Sequence, residues 1–161
     1  MATEGSSRGH VWRYDPDRDI AHYTLAIERD ATDTWAYARR AAWHWMKGEK
    51  EAALADYTTL LELDPTDARS YGERGCLRQS NGDLAGAIVD FTGCIALDPE
   101  NPVGYSRRGI ARRLAGDLAG AVADSEKAAA LTLSRKRKRR RDQLSTSSSA
   151  KRLDTWTAPD A

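Results

Sequence analysis

Apolar and polar positions along this chain follow a helical period, and the helical pattern itself returns at a fixed interval. Three apolar-periodic stretches, Thr34 to Met46, Ala68 to Ser80 and Pro102 to Leu114, each run into Gly-Glu or Gly-Asp. Glycine stops a helix because it enters the left-handed backbone region without penalty, and an acidic residue after it suits the start of the next helix. Three second stretches follow, Glu49 to Leu63, Asp83 to Leu97 and Asp117 to Leu131, with small and apolar residues at i, i+4 and i+7, as in Ala87, Phe91 and Cys94. Pro65 and Pro99 forbid continuation of the first two, since proline lacks the amide hydrogen and clashes with the preceding turn. The pattern predicts helix, tight turn, helix, tight turn.

The interval is 34 residues. It links Leu63-Asp64-Pro65 to Leu97-Asp98-Pro99, and it links Tyr37, Tyr71 and Tyr105; Arg40, Arg74 and Arg108; Gly48, Gly82 and Gly116; Ala53, Ala87 and Ala121; Asp56, Asp90 and Asp124. Chance does not supply such triplets in one register. A single hairpin cannot bury its apolar face alone, so a repeated one implies an array in which neighbours cover each other.

The spacing Tyr71, Gly75, Gly82, Ala87, Phe91, Pro99 resembles the tetratricopeptide repeat, and the resemblance covers Thr34 to Leu133. It implies an all-α solenoid of antiparallel helix hairpins in a right-handed superhelical stack, with repeats at 34–67, 68–101 and 102–133. Small residues at Gly75 and Ala87 fit where the two helices of a hairpin cross, with Tyr71 and Phe91 filling the space between. It further implies that the first helix of every hairpin lines a concave groove in which extended peptides dock.

The ends of the array carry their own signals. Asp17 to Arg29 holds Ile20, Tyr23, Ala26 and Ile27 in the register of a second helix, but the Gly/Ser-containing residues before it supply no partner. It reads as an orphan half-repeat opening a helical domain over 17–133, after a flexible segment at 1–16. At the far end Ser125 replaces Tyr57 and Phe91, and Leu133 replaces Pro65 and Pro99. Those losses fit a capping repeat, and without the proline the last helix is free to run on into the tail.

The repeats also depart from the family pattern. Arg40, Arg74 and Arg108 stand where a leucine is usual, and Asp56, Asp90 and Asp124 recur in the second helices. Each arginine is expected to pair with the aspartate of its own hairpin, which would satisfy a partly buried guanidinium; the alternative is two separately solvated faces.

Helical spacing names a groove lining: Trp35, Ala38, Arg39, Ala42 and Trp45, then Arg69, Glu73, Cys76 and Gln79, then Val103, Arg107, Ile110 and Arg113. This lining is mostly cationic with one aromatic end. Arginine and tryptophan often dominate interface energetics, so the expected partner is a protein or peptide with acidic and apolar side chains. In the alternative, Trp35 and Trp45 pack against the orphan helix or Trp12 as core, and Trp43 reads as buried. Relatives that bind chaperone carboxyl-terminal tails use a clamp of two lysines, two asparagines and an arginine. Here Ala38, Ala42, Glu73 and Val103 fall at four of those positions and only Arg107 matches, which argues against that ligand.

Charge changes the picture at the carboxyl-terminal end. The net charge is +1, yet residues 1–133 carry 16 Lys/Arg against 21 Asp/Glu, and residues 134–161 carry 9 against 3. The basic, Ser/Thr-rich tail 134–161 holds Arg135, Lys136, Arg137, Lys138, Arg139, Arg140 and Arg141 in succession, with Lys151 and Arg152 further on. Three readings stand beside that of a functionless solvated end: an arm for nucleic acid or another anionic surface, a nuclear localisation signal in a eukaryote, or an arm folded back on the acidic body. About five phosphate contacts would give a log–log salt slope of about -4.5, and no base-specific reader is visible.

Other classes of function find little support. Mean hydropathy is -0.67, no run approaches the roughly 18 apolar residues of a spanning helix, and Met1 to Arg13 lacks the apolar core of a secretory signal. The expected setting is the cytoplasm, or the nucleus if the tail directs it there, with no membrane insertion. Cys76 and Cys94 are too few for a disulfide framework and are expected to stay reduced, with a redox pair as the lesser alternative. His10, His22 and His44 share no metal-ligand spacing with the cysteines, and no phosphate loop or nucleophile elbow is present. The chain therefore reads as a scaffold or adaptor without catalysis, cofactor or metal, with the nucleic-acid arm as the competing function.

Overall fold

The computed structural model describes residues 15–153, with side chains described as far as Leu144. The segment before Asp15, Trp12 within it, and the side chains of Lys151 and Arg152 lie outside the described residues. Seven helices and no strand occur among those described. Most of the boundaries follow from caps. Asp15, Asp33, Asp67, Asp83 and Asn101 each accept backbone amide hydrogens with their side chains, starting α1 (Pro16–Arg29), α2 (Thr34–Lys47), α4 (Ala68–Ser80), α5 (Leu84–Leu97) and α6 (Pro102–Leu114). Helix α3 (Lys50–Leu63) follows Glu49, and α7 (Leu118–Leu153) follows Asp117, whose Oδ1 accepts from Gly120 N at 2.9 Å. The acidic residues that open the second stretches are thus caps rather than helical positions, wherever the cap is resolved.

Gly48, Gly82 and Gly116, with φ of +84°, +82° and +88°, turn the chain between the two helices of each hairpin. That left-handed conformation strains any side chain with a Cβ. Helices α3 and α5 stop at Leu63 and Leu97, two residues before Pro65 and Pro99. No proline stands at the matching point of α7, so it continues for 36 residues through the basic tract.

The chain divides into two compact units between Leu63 and Asp64. In the first, α1 packs on α2 and α2 on α3, and Ala36, Tyr37, Ala41, Tyr57 and Leu60 are buried. Among the described residues of this unit, α1 packs on α2. In the second, α4 packs on α5, α5 on α6, and α6 on α7. Its centre is Phe91, fully buried with Ala87 and Ala111, and with Cys76 and Ile88 partly buried against them.

Small residues make room for that ring. A Cβ on Gly75 would lie 2.7 Å from Phe91 Cε1 and one on Gly104 would lie 2.9 Å from Ile95 Cγ1, closer than carbon atoms approach. Alanine at Gly75 gains about 1 kcal/mol of helix propensity, but overpacking against an immobile ring costs about 1–3 kcal/mol. We expect Gly75→Ala to lower stability by up to about 2 kcal/mol net, measured as a fall in the urea midpoint at unchanged slope.

Candidate functional site

Each hairpin contains one arginine and one aspartate that face each other across it. Arg40 donates from Nη2 to Asp56 Oδ1 at 2.6 Å and from Nε to Oδ2 at 2.8 Å. Arg74 makes the same two-pronged contact with Asp90 at 2.7 and 3.1 Å, and Arg108 with Asp124 at 2.7 and 2.9 Å. Asp56, Asp90 and Asp124 are buried, so these are not separately solvated faces. The tyrosine three residues earlier lies under each guanidinium, with ring centres 5.7, 5.7 and 5.8 Å from the Arg40, Arg74 and Arg108 carbons. Hydrogen bonding to the carboxylate raises Arg40 and Arg108 above the usual guanidinium range, against the opposing effect of burial.

A second arginine joins the pair in two hairpins. Arg78 Nη1 reaches Asp90 Oδ2 and Arg112 Nη1 reaches Asp124 Oδ2, both at 2.9 Å. The first hairpin has His44 at this position, and His44 Nδ1 instead meets Glu49 Oε2 at 2.6 Å. The interrupted triplet 44, 78, 112 was the available signal for these arginines, and the histidine obscured it. The arginine also reaches back one helix: Arg40 Nη1 donates to Thr24 Oγ1 of α1, and Arg108 Nη1 to Thr92 Oγ1 of α5, both at 3.2 Å. This recurrent cluster is structural, since its polar groups are consumed internally.

The exposed surfaces lie elsewhere. In the first unit, Trp35 is 60% exposed. The Arg39 guanidinium sits 5.2 Å from its ring centre, and Tyr23 of α1 meets it edge-on at 5.4 Å. Trp35 thus touches the orphan helix along one edge while presenting the rest of the ring with Arg39. Trp45 and Trp43 are half-buried.

In the second unit, α4 and α6 present two hollows that share Arg107. The larger, about 400 Å³, is lined by residues including Arg69, Glu73, Cys94, Asp98, Asn101 and Val103; the smaller, about 240 Å³, by Cys76, Gln79, Ser80, Ile110 and Leu114. Arg107 Nη1 donates to the Gly72 carbonyl at 3.2 Å and lies 3.8 Å from Glu73 Oε1, so part of this arginine is already committed. Gly72 allows the approach, since a Cβ there would lie 3.3 Å from Arg107 Nη1. Arg69 is exposed. Arg113 belongs to neither hollow and lines a third, with Gly109, Ile110, Leu118 and Val122 between α6 and α7. Cys94, Asp98 and Asn101 come from α5 and the turn after it, so considering only the first helix of each hairpin omits them.

Both cysteines are free. Burial pushes the Cys76 and Cys94 thiols up, while Arg107 pulls each partly back, which disfavours the reactive thiolate. Among the described residues no group of three or more His, Cys, Asp or Glu side chains is placed to hold a metal ion. No helix among them is long and apolar enough to cross a membrane.

Comparison with known proteins agrees with this architecture. The family model for the tetratricopeptide repeat matches residues 68–101. No curated protein matches the sequence. Among solved structures, MamA superposes with a TM-score of 0.74 at 24% identity, covering 76% of this chain and 71% of that one. MamA from Desulfovibrio magneticus RS-1 (residues 41 to the end) gives 0.69 at 21% identity, covering 74% and 68%. The first tetratricopeptide domain of Spaghetti (RPAP3), bound to the HSP90 peptide SRMEEVD, gives 0.60 at 24% identity, covering 63% and 81%. All-helical hairpins recur here at 34 residues, residues 68–101 match the tetratricopeptide repeat, and the fold is that of tetratricopeptide-type helical hairpins.

Proposed function

We propose that the chain is a scaffold that holds an extended segment of another protein against the α4/α6 face, in the hollow between Arg69 and Arg107. Tetratricopeptide-repeat proteins are generally scaffolds without catalysis. The observation that carries this reading is the 400 Å³ hollow itself, in which an exposed arginine, Arg69, stands beside the apolar Val103 and Cys94. A carboxylate of the ligand pairs with Arg69 in a two-pronged contact, and an apolar side chain beside it enters the hollow. Glu73 and Asp98 share the site, so the ligand is mixed rather than uniformly acidic. The Spaghetti domain holds the HSP90 peptide SRMEEVD; here Glu73 would repel a terminal carboxylate at the corresponding face, and that peptide is not the expected ligand. A reducing compartment such as the cytoplasm suits the two free thiols.

Random peptides displayed and selected on the full chain should converge on an acidic residue next to an apolar one. Affinity of a selected peptide should then fall at least about tenfold, or about 1.4 kcal/mol, in Arg69→Glu and in Val103→Glu, and stay unchanged in Arg29→Glu. Peptides indifferent to both changes but lost on Trp35→Ala would place the site on the Trp35/Arg39 patch and overturn this assignment.

A further inference from the structure

Helix α7 does not end with its hairpin. Its antiparallel partner α6 spans only Pro102–Leu114, Leu131 is the last buried residue of α7 among the described side chains, and those from Thr132 to Leu144 are all exposed. The helix nonetheless runs unbroken to Leu153, about 33 Å beyond Leu131 at 1.5 Å per residue. Arg135 to Arg141 therefore stand on a helical rod, and seven consecutive residues at about 100° apiece pass round it nearly twice. Cations cover every face.

That distribution selects among partners. A helix adsorbed on a lipid surface needs an apolar face opposite the basic one, and a helix laid in a protein groove needs apolar anchors at i, i+3, i+4 and i+7. The basic run has neither; the nearest large apolar residues are Leu133 and Leu144, beyond its two ends. A rod charged all round is matched by an anion that surrounds it. The major groove of B-form DNA, about 12 Å wide, admits one α-helix between two phosphate rows, whereas the A-form RNA major groove is too narrow for side chains to read.

We propose that the basic stretch of α7 docks in the major groove of double-stranded DNA, with its arginines and lysines gripping phosphates of both strands without reading sequence. This surface is separate from the α4/α6 hollow, and the proposal stands whether or not that hollow binds peptide.

The test is fluorescence anisotropy of the full chain with a labelled 20-base-pair DNA duplex, the same sequence as an RNA duplex, and vesicles of mixed phosphatidylcholine and phosphatidylserine. The DNA affinity should fall with a log–log salt slope of about -4.5, equivalent to about five phosphates, and the RNA duplex should bind at least tenfold more weakly. Lys138→Gln should lower the slope by about 0.9, one phosphate contact. Lys138→Pro removes the same charge and also breaks the rod, and should lose at least a further tenfold; since Lys138 is exposed, the unfolding midpoint should stay put. Equal DNA binding by the two Lys138 variants, equal affinity for RNA and DNA, tighter binding to vesicles, or no DNA binding at low salt would each overturn the proposal.

Discussion

Replacing Asp90 by alanine is expected to lower stability by about 3 kcal/mol, the lower end of the range for breaking a buried ion pair. The carboxylate is fully buried and accepts from both Arg74 and Arg78, so one substitution removes two charge-assisted contacts. The cost stays near the lower bound because the stranded guanidiniums, 13% and 27% exposed, recover some hydration. Asp56, in the first hairpin, has Arg40 but His44 in place of the second arginine. Asp56→Ala should therefore cost less, about 2 kcal/mol for the loss of hydrogen bonds to a charged group. Urea unfolding followed by circular dichroism checks both size and order; an Asp90→Ala protein within the error of the parent would mean the cluster adds no stability.

Phe91→Ala should cost about 4 kcal/mol, within the range for deleting a buried aromatic ring. The ring is wholly inaccessible, and it is surrounded by Gly75, Ala87 and Ala111. Those three have no rotamers with which to fill the void, which leaves only the partly buried Cys76 and Ile88 to move toward it, so most of the cavity persists. Coupling offers a second check: because Gly75→Ala clashes with this ring, the double variant Gly75→Ala/Phe91→Leu should lose less than the sum of the single changes. Strict additivity would show that Gly75 is not sized by Phe91.

The residues that set the helix boundaries were legible because each acts locally. Gly48, Gly82 and Gly116 take a left-handed φ, and Asp83 caps the next turn; both effects depend on residues within four positions. The partners of Arg40, Arg74 and Arg108 were legible too, since the 16-residue offset to each aspartate repeats three times. Arg107 was not. Its spacing assigns it to an open groove, but its guanidinium turns onto the Gly72 carbonyl 35 residues away, and no pattern in the chain marks that carbonyl as within reach. The contribution of Cys94, Asp98 and Asn101 to the hollow was hidden for the same reason, because it depends on how close α5 lies to α4 and α6. For Arg78 and Arg112 the periodicity existed, but one histidine broke it.

The backward reach of Arg108 to Thr92 bears on how such a chain changes length. Thr92 and Arg74 both belong to the stretch 68–101, so a tandem copy of that stretch would bring its own Arg74 to the original Thr92 and offer its own Thr92 to Arg108. Every join would then be made by side chains already present, with no new junction to invent. Gene duplication can thus lengthen the array in whole steps of 34, while a duplicated segment of any other size leaves an arginine facing the wrong neighbour. After α7 the ladder stops, since Glu126 occupies the threonine's place, and growth by this route is confined to the interior.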